Sequence, residues 1–129
     1  MKILLDAMGG DNAPDANIKG AVNAINKVKA EVVLIGKEDV IRNKIKEFYG
    51  KELEEISDRL KIKNATETIE MEDTPTLAIK HKKDSSMVVG FNMLKKEEGD
   101  VFISAGNSGA LLAGATLLVG RIKGIDRPA

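Results

Sequence analysis

The chain has no cysteine, no tryptophan, one histidine, three prolines, and only three Phe and one Tyr as aromatic side chains. Without cysteine there is no disulfide framework, no thiolate nucleophile and no cysteine-held metal. A lone His81 excludes a multi-histidine metal site built from this chain. Phe48, Tyr49, Phe91 and Phe102 are too scattered to form a base-stacking platform. Excess charge of either sign is missing as well, since 20 Lys and Arg balance 20 Asp and Glu. With no basic field, nucleic acid is not an expected partner. Long apolar runs are scarce too. Val101–Gly120 has the length of a membrane span, but Ser104, Asn107, Ser108 and its glycines make it a poor one. Only Lys2 precedes a short apolar stretch that runs into Asp6, which is not a signal-peptide pattern. At 129 residues, the expectation is a single cytoplasmic domain with a core of its own.

What is present alternates between two periods. Lys2–Leu5 reads as a buried strand, and Ile18, Ala21, Val22 and Ile25 predict a helix over about Asp15–Val28. Glu31–Ile35 contains the unbroken run Val32-Val33-Leu34-Ile35, typical of a strand covered on both faces, and Gly36 ends it. Val40, Ile41, Ile45 and Phe48 share a helical face that breaks at Gly50 and resumes with Leu53, Ile56 and Leu60. Leu60-Lys61-Ile62 also fits a short strand, and polar Ala65–Thr76 is expected to loop toward solvent or a partner. Pro75 opens a short helix through Ile79 and Lys80; another starts near Asp84 or Ser85, with Met87, Val88, Phe91 and Leu94 as its apolar face. Val101-Phe102-Ile103 is a strand, followed by a helix bearing Leu111, Leu112, Ala115, Leu118 and Val119. The small residues Ala113, Gly114, Ala115 and Thr116 predict burial of that helix on both sides. Such alternation implies an α/β fold with a mostly parallel sheet and helices on both faces.

In such sheets ligands gather outside the carboxyl ends of the strands, where three loops are candidates: Asp6–Asn12, Lys80–Ser86 and Ser104–Ser108. Gly9 and Gly10 behind Ile3-Leu4-Leu5 let an anion approach the main chain, although Asp6 and Asp11 flank them with negative charge. A plain strand–turn–helix corner capped by Asp11 or Asn12 accounts for the same residues. Lys80, Lys82 and Lys83 before a helix start favour a dianion; a solvated basic turn capped by Ser85 is the alternative. Gly106 and Gly109 bracket Asn107 and Ser108, which suit a phosphate or a developing oxyanion. The same segment mimics a nucleophile elbow at Ser108, but His81 precedes it, whereas that fold needs a histidine after the nucleophile. An ATP-dependent phosphotransferase with Asp6 or Asp11 near Mg²⁺, and a dimerising scaffold with glycines as mere corners, stay open beside it.

Four blocks in order carry a more specific signal. Asp6-Ala7-Met8-Gly9-Gly10-Asp11-Asn12-Ala13-Pro14 resembles the opening signature of the PlsX-type phosphate acyltransferases. Pro75 with Lys82-Lys83-Asp84-Ser85-Ser86-Met87 resembles their second block, and Ser104-Ala105-Gly106-Asn107-Ser108-Gly109-Ala110 the third, with Ser108 where threonine is commoner. Gly120-Arg121-Ile122-Lys123-Gly124-Ile125-Asp126-Arg127-Pro128-Ala129 resembles the fourth. His81 stands where the family tends to carry arginine. The resemblance implies a three-layer α/β/α fold similar to isocitrate dehydrogenases and phosphotransacetylases, with residues 1–129 as the N-terminal part of a longer enzyme. It implies acyl transfer from acyl carrier protein to inorganic phosphate, a homodimer, loose membrane attachment and a membrane-bound glycerol-3-phosphate acyltransferase downstream. No cofactor or metal is expected. Phosphate would be held by Asp6, Gly9, Gly10, Lys82, Lys83, Ser85 and Ser86, and the thioester oxygen would face Asn107, Ser108 and Gly109, with Ser104 and Gly106 in the same loop. Asp11 would orient a lysine or accept a proton.

Overall fold

The computed structural model of the chain describes residues 1–119; the fourth block, Gly120–Ala129, lies outside the described residues. Strands β1 (Lys2–Asp6), β2 (Glu31–Gly36), β3 (Leu60–Asn64) and β4 (Val101–Ile103) form one sheet in the order β3-β2-β1-β4. Every pairing is parallel, with Leu4 opposite Val33 and Phe102, and Val33 opposite Lys61. Since side chains alternate along a strand, this register sorts the apolar residues onto two faces. Val32 and Leu34, with Ile3 and Leu5, pack on α1 (Asp15–Ile25) and α2 (Glu38–Tyr49) through Ile18, Val22, Ile25, Ile41 and Ile45. Leu4, Val33 and Ile35 face the other way, onto Val89, Met93 and Leu94 of α5 (Ser86–Lys95). The result is the expected three-layer α/β/α arrangement around a parallel sheet.

A second core sits beside the sheet. Helices α4 (Pro75–His81), α5 and α6 (Ser108–Gly114) enclose Ile69, Ala78, Ile79, Met87, Val88, Phe91 and Ala110. Phe91 and Phe102 meet edge to face with ring centroids 5.1 Å apart, so this core continues into β4.

Several boundaries differ from the sequence expectation, each for a local reason. The helix α1 stops at Ile25, and its cap position is Pro14, with no capping side chain from Asp11 or Asn12. Gly50 adopts a left-handed φ of 66° and closes α2, so Leu53–Ile56 forms a separate short helix, α3. Leu60 leaves the helical face and, as the strand reading of Leu60-Lys61-Ile62 expects, opens β3 opposite Val32. The Ala65–Thr76 segment does not loop out. Ala65 and Ile69 are buried, and Glu67 exchanges backbone bonds with Asp84 (3.1 Å) and Ser86 (3.1 Å). Among the described residues, the last helix is covered on one side only. Gly114 abuts Phe91 and Ile79, whereas Leu112, Leu117 and Val119 are exposed, and Ala115–Val119 winds as a π-helical turn.

Two glycine substitutions should have opposite signs. A Cβ on Gly90 would enter the Phe102 ring, whereas one on Gly20 in α1 meets nothing within 4 Å. Gly90→Ala is expected to cost about 1–3 kcal/mol by overpacking. Gly20→Ala is expected to stabilise by about 0.5–1 kcal/mol through helix propensity. Urea unfolding midpoints at constant m-value check both.

Candidate active site

From β1 the chain moves outward through β2 to β3, then crosses back to place β4 on the far side of β1. The carboxyl ends of β1 and β4 therefore flank the point where strand order reverses, the crevice in which open parallel sheets take ligands. Two of the three candidate loops meet there. Asp6, at the end of β1, is 2% exposed. Its Oδ1 accepts the Met8 N–H (3.0 Å) and its Oδ2 accepts the Ser104 hydroxyl (2.8 Å). Ser104 Oγ in turn accepts the Gly106 N–H at 3.1 Å. The carboxylate is thus held by dipoles, and no ion pair includes it among the described residues.

The glycines follow from this crowding. A Cβ on Gly9 would lie 2.8 Å from Asp6 Oδ2 and 2.9 Å from the Gly106 nitrogen. Gly10 has φ 101°, outside the range of ordinary side-chain-bearing residues, and faces Ala105. The sequence reading missed Asn17. Its Nδ2 donates to the carbonyls of Gly9 (2.8 Å) and Ala7 (3.0 Å), with Asp6 O at 3.4 Å. A polar residue in the first turn of an amphipathic helix looks like solvated surface, so only its position against the turn could reveal it. Among the described residues, the N–H groups of Gly10, Asp11 and Asn12 have no hydrogen-bond partner, and the Asp11 side chain is exposed at the rim.

The third candidate loop turns inward instead. Lys82 donates to Asp73 Oδ2 (2.7 Å) and to the Thr68 carbonyl (2.8 Å). Its hydrogen bond to Asp73 pushes the Lys82 ammonium up from its ordinary value, and Lys82, aided by the Glu70 N–H, holds Asp73 below the ordinary carboxylate range. The Thr66 hydroxyl and amide likewise hold Asp84 low. Ser85 is fully buried as the N-cap of α5, accepting the Val88 N–H at 3.2 Å, and the Ser86 amide is taken by Glu67 O. Lys83 is exposed and has no ion-pair partner among the described residues. Met87, next after this loop, reaches the crevice: a Cβ on Gly106 would sit 3.3 Å from its methyl carbon.

Asn107, 6% exposed, has its amide fully occupied. Oδ1 caps α6 by accepting the Ala110 N–H (3.1 Å), while Nδ2 donates to the carbonyls of Glu70 (3.2 Å), Met71 (3.3 Å) and Asp73 (3.0 Å). It braces the 70–73 segment against the glycine loop. Ser108 and Gly109 are exposed at the start of α6. The elbow likeness ends there: the only positive-φ non-glycine among the described residues is Glu97, so Ser108 lacks the strained backbone of an elbow nucleophile.

A parallel sheet with two glycine turns locked together at its switch point defines an α/β protein whose Gly10, Asp11 and Asn12 N–H groups are unpaired at that point among the described residues. The chain belongs to the family described as fatty acid synthesis protein, which it matches over residues 1–129. It is 55% identical to a phosphate acyltransferase of Acetivibrio thermocellus over 130 residues, covering 100% of this chain and 37% of that protein. Identity is 52% to the phosphate acyltransferase of Clostridioides difficile (99% of this chain, 36% of that protein). It is 52% again to that of Thermoanaerobacter pseudethanolicus (100% and 36%). The chain therefore spans a little over a third of the length of these curated relatives. Among the described residues, no helix is long and apolar enough to cross a membrane.

The Asp73–Lys82 pair sets a pH prediction. Because the folded state holds Asp73 low, its contribution is complete above the unfolded carboxyl value of about 4 and is lost as pH falls through the lower folded value. The thermal midpoint should fall in that acid window, and Asp73→Asn should flatten the fall while lowering the midpoint at neutral pH. Melting curves of both proteins from neutral to acid pH check this.

Proposed function

We propose that the protein transfers a fatty acyl group from acyl carrier protein to inorganic phosphate, making acyl phosphate for phospholipid synthesis. The observation that carries this is the Gly9–Gly10 turn, where the N–H groups of Gly10, Asp11 and Asn12 have no partner among the described residues, beside the Ser104–Asn107 loop, in a chain whose relatives are named phosphate acyltransferases. Phosphate is already a nucleophile at neutral pH and a thiolate leaves readily, so positioning and charge stabilisation suffice. The amides of Gly10 and its neighbours take the phosphate, and Lys83, exposed and unpaired among the described residues, supplies the cation. A phosphate oxygen attacks the thioester carbon, the carbon–sulfur bond breaks, and the carrier thiolate departs and takes a proton. The N–H groups of Ser108 and Gly109 stabilise the oxyanion. Asp11 orients Lys83 or accepts the phosphate proton. Asp6, Ser104 and Gly106 shape the crevice, Asn107 and Ser85 hold loops in place, and Lys82 and Ser86 act through the 66–73 segment.

In this proposal residues 1–129 are a phosphate-binding α/β domain at the N-terminal end of a longer enzyme. That enzyme works as a cytoplasmic homodimer, loosely attached to the membrane, and passes its product to a membrane-bound glycerol-3-phosphate acyltransferase. The full-length enzyme, given palmitoyl-carrier protein, should release carrier thiol only when phosphate is added, with no need for ATP. Release by water alone or dependence on ATP would overturn the assignment. Lys83→Ala should raise the KM for phosphate about tenfold, equivalent to about 1.4 kcal/mol. Asp11→Asn should lower kcat by about a hundredfold if it handles the proton. Near-normal kinetics in both would remove their roles.

A further inference from the structure

We infer that Asn17 is a positioning residue that keeps the Gly10 N–H directed into the crevice, resting on the phosphate-binding assignment above for its role in function. A trans peptide is planar, so the carbonyl of one residue and the N–H of the next point in opposite directions. Fixing the Gly9 carbonyl on Asn17 Nδ2 (2.8 Å) therefore drives the Gly10 N–H away from α1. The Ala7–Met8 unit, two peptides earlier, shows the same logic completed. Asn17 holds the Ala7 carbonyl (3.0 Å), and the Met8 N–H on the opposite side meets Asp6 Oδ1 (3.0 Å). At Gly10 that opposite side has no protein partner among the described residues. One side-chain amide thus sets two alternate peptide planes, the first closed by Asp6 and the second left open to a ligand.

The turn needs such a hold. Gly10 has φ 101°, and a glycine there populates other conformations readily once its neighbours are released. The one backbone bond Gly10 makes among the described residues, from the Ala13 N–H to Gly10 O at 3.3 Å, anchors its carbonyl and not its N–H. Asn17 is half-buried, so water competes poorly for these carbonyls. It makes no use of charge and sits on the carbonyl side, so it shapes the amide cradle without occupying it. An oxyanion that accepts a hydrogen bond from Gly10 would gain affinity from this ordering, because the turn would not have to be arranged on binding.

The test uses the 129-residue chain labelled with ¹⁵N, as wild type, Asn17→Asp and Asn17→Ala. Asn17→Asp is nearly isosteric but presents a carboxylate to three carbonyls; Asn17→Ala removes the donor altogether and covers the case in which the acidic variant fails to fold. Without ligand, the Gly10 amide resonance should shift or broaden in the variants, while those of β3 stay fixed and the melting temperature falls by only a few degrees. On titration with inorganic phosphate, the wild-type Gly10 and Asp11 amides should shift saturably, and the variants should bind at least tenfold more weakly. Asn17→Gln, which keeps the donor on a longer arm, should recover part of the loss. An unmoved Gly10 resonance with unchanged phosphate affinity would overturn the role of Asn17 and leave phosphate binding standing. A wild type that ignores phosphate, but whose Gly10 amide still moves in the variants, would uphold Asn17's hold on the turn and remove the phosphate assignment.

Discussion

Everything at the carboxyl edge of the sheet depends on the Asp6 carboxylate accepting the Ser104 hydroxyl at 2.8 Å. Those residues are 98 positions apart, and their bond joins the turns that follow two neighbouring strands. A nearly inaccessible carboxylate with no ion-pair partner among the described residues is tolerated only when donors replace its water. Here the donors are the Met8 amide and the Ser104 hydroxyl, each fixed by the loop it belongs to. The negative charge that looked hostile to an anion is thereby turned inward, and the N–H groups beyond Gly9 remain for the crevice. Gly9 is a consequence of the same bond, since any side chain there would strike the carboxylate.

A second network supports the first from the opposite direction. Asn107 ties the Ser104–Asn107 loop to three carbonyls of the 70–73 segment, and Lys82 ties that segment to the end of α4 through Asp73. Glu67 and Ser85 form a parallel bridge that continues the connection. The second block therefore reaches the crevice through packing and backbone bonds, with Met87 against Gly106 as the point of touch. Such layered support is what a preorganised site requires, because amides that must stay unpaired cannot hold themselves in place. Lys83 is left as the one cation of that block with a free reach among the described residues.

Much of this fold was legible in the order of residues. Continuous apolar runs such as Val32–Ile35 mark strands buried on both faces, and Ile18, Ala21, Val22 and Ile25 mark a helix against them. Pro75 and Ser85 announced the starts of α4 and α5. The failures share one cause. Leu60 fits a helical period with Ile56 but is claimed by its pairing with Val32, and the 65–76 stretch looks polar while Ile69 is drawn into a core made by three distant helices. Leu112 and Val119 look like core residues, yet among the described residues the helix packs by only one side.

By itself the sequence determined the element types, the parallel α/β class, the glycine turns and the stock of chemical groups, because each depends on neighbours within a turn or two of the chain. Only the tertiary structure decided how those groups are used. It paired Asp6 with Ser104 and Lys82 with Asp73, committed Asn107 to main-chain carbonyls, and brought Asn17 onto the Gly9 carbonyl. A side chain's hydrogen-bond partner is set by which distant segments arrive beside it, and no local period records that meeting.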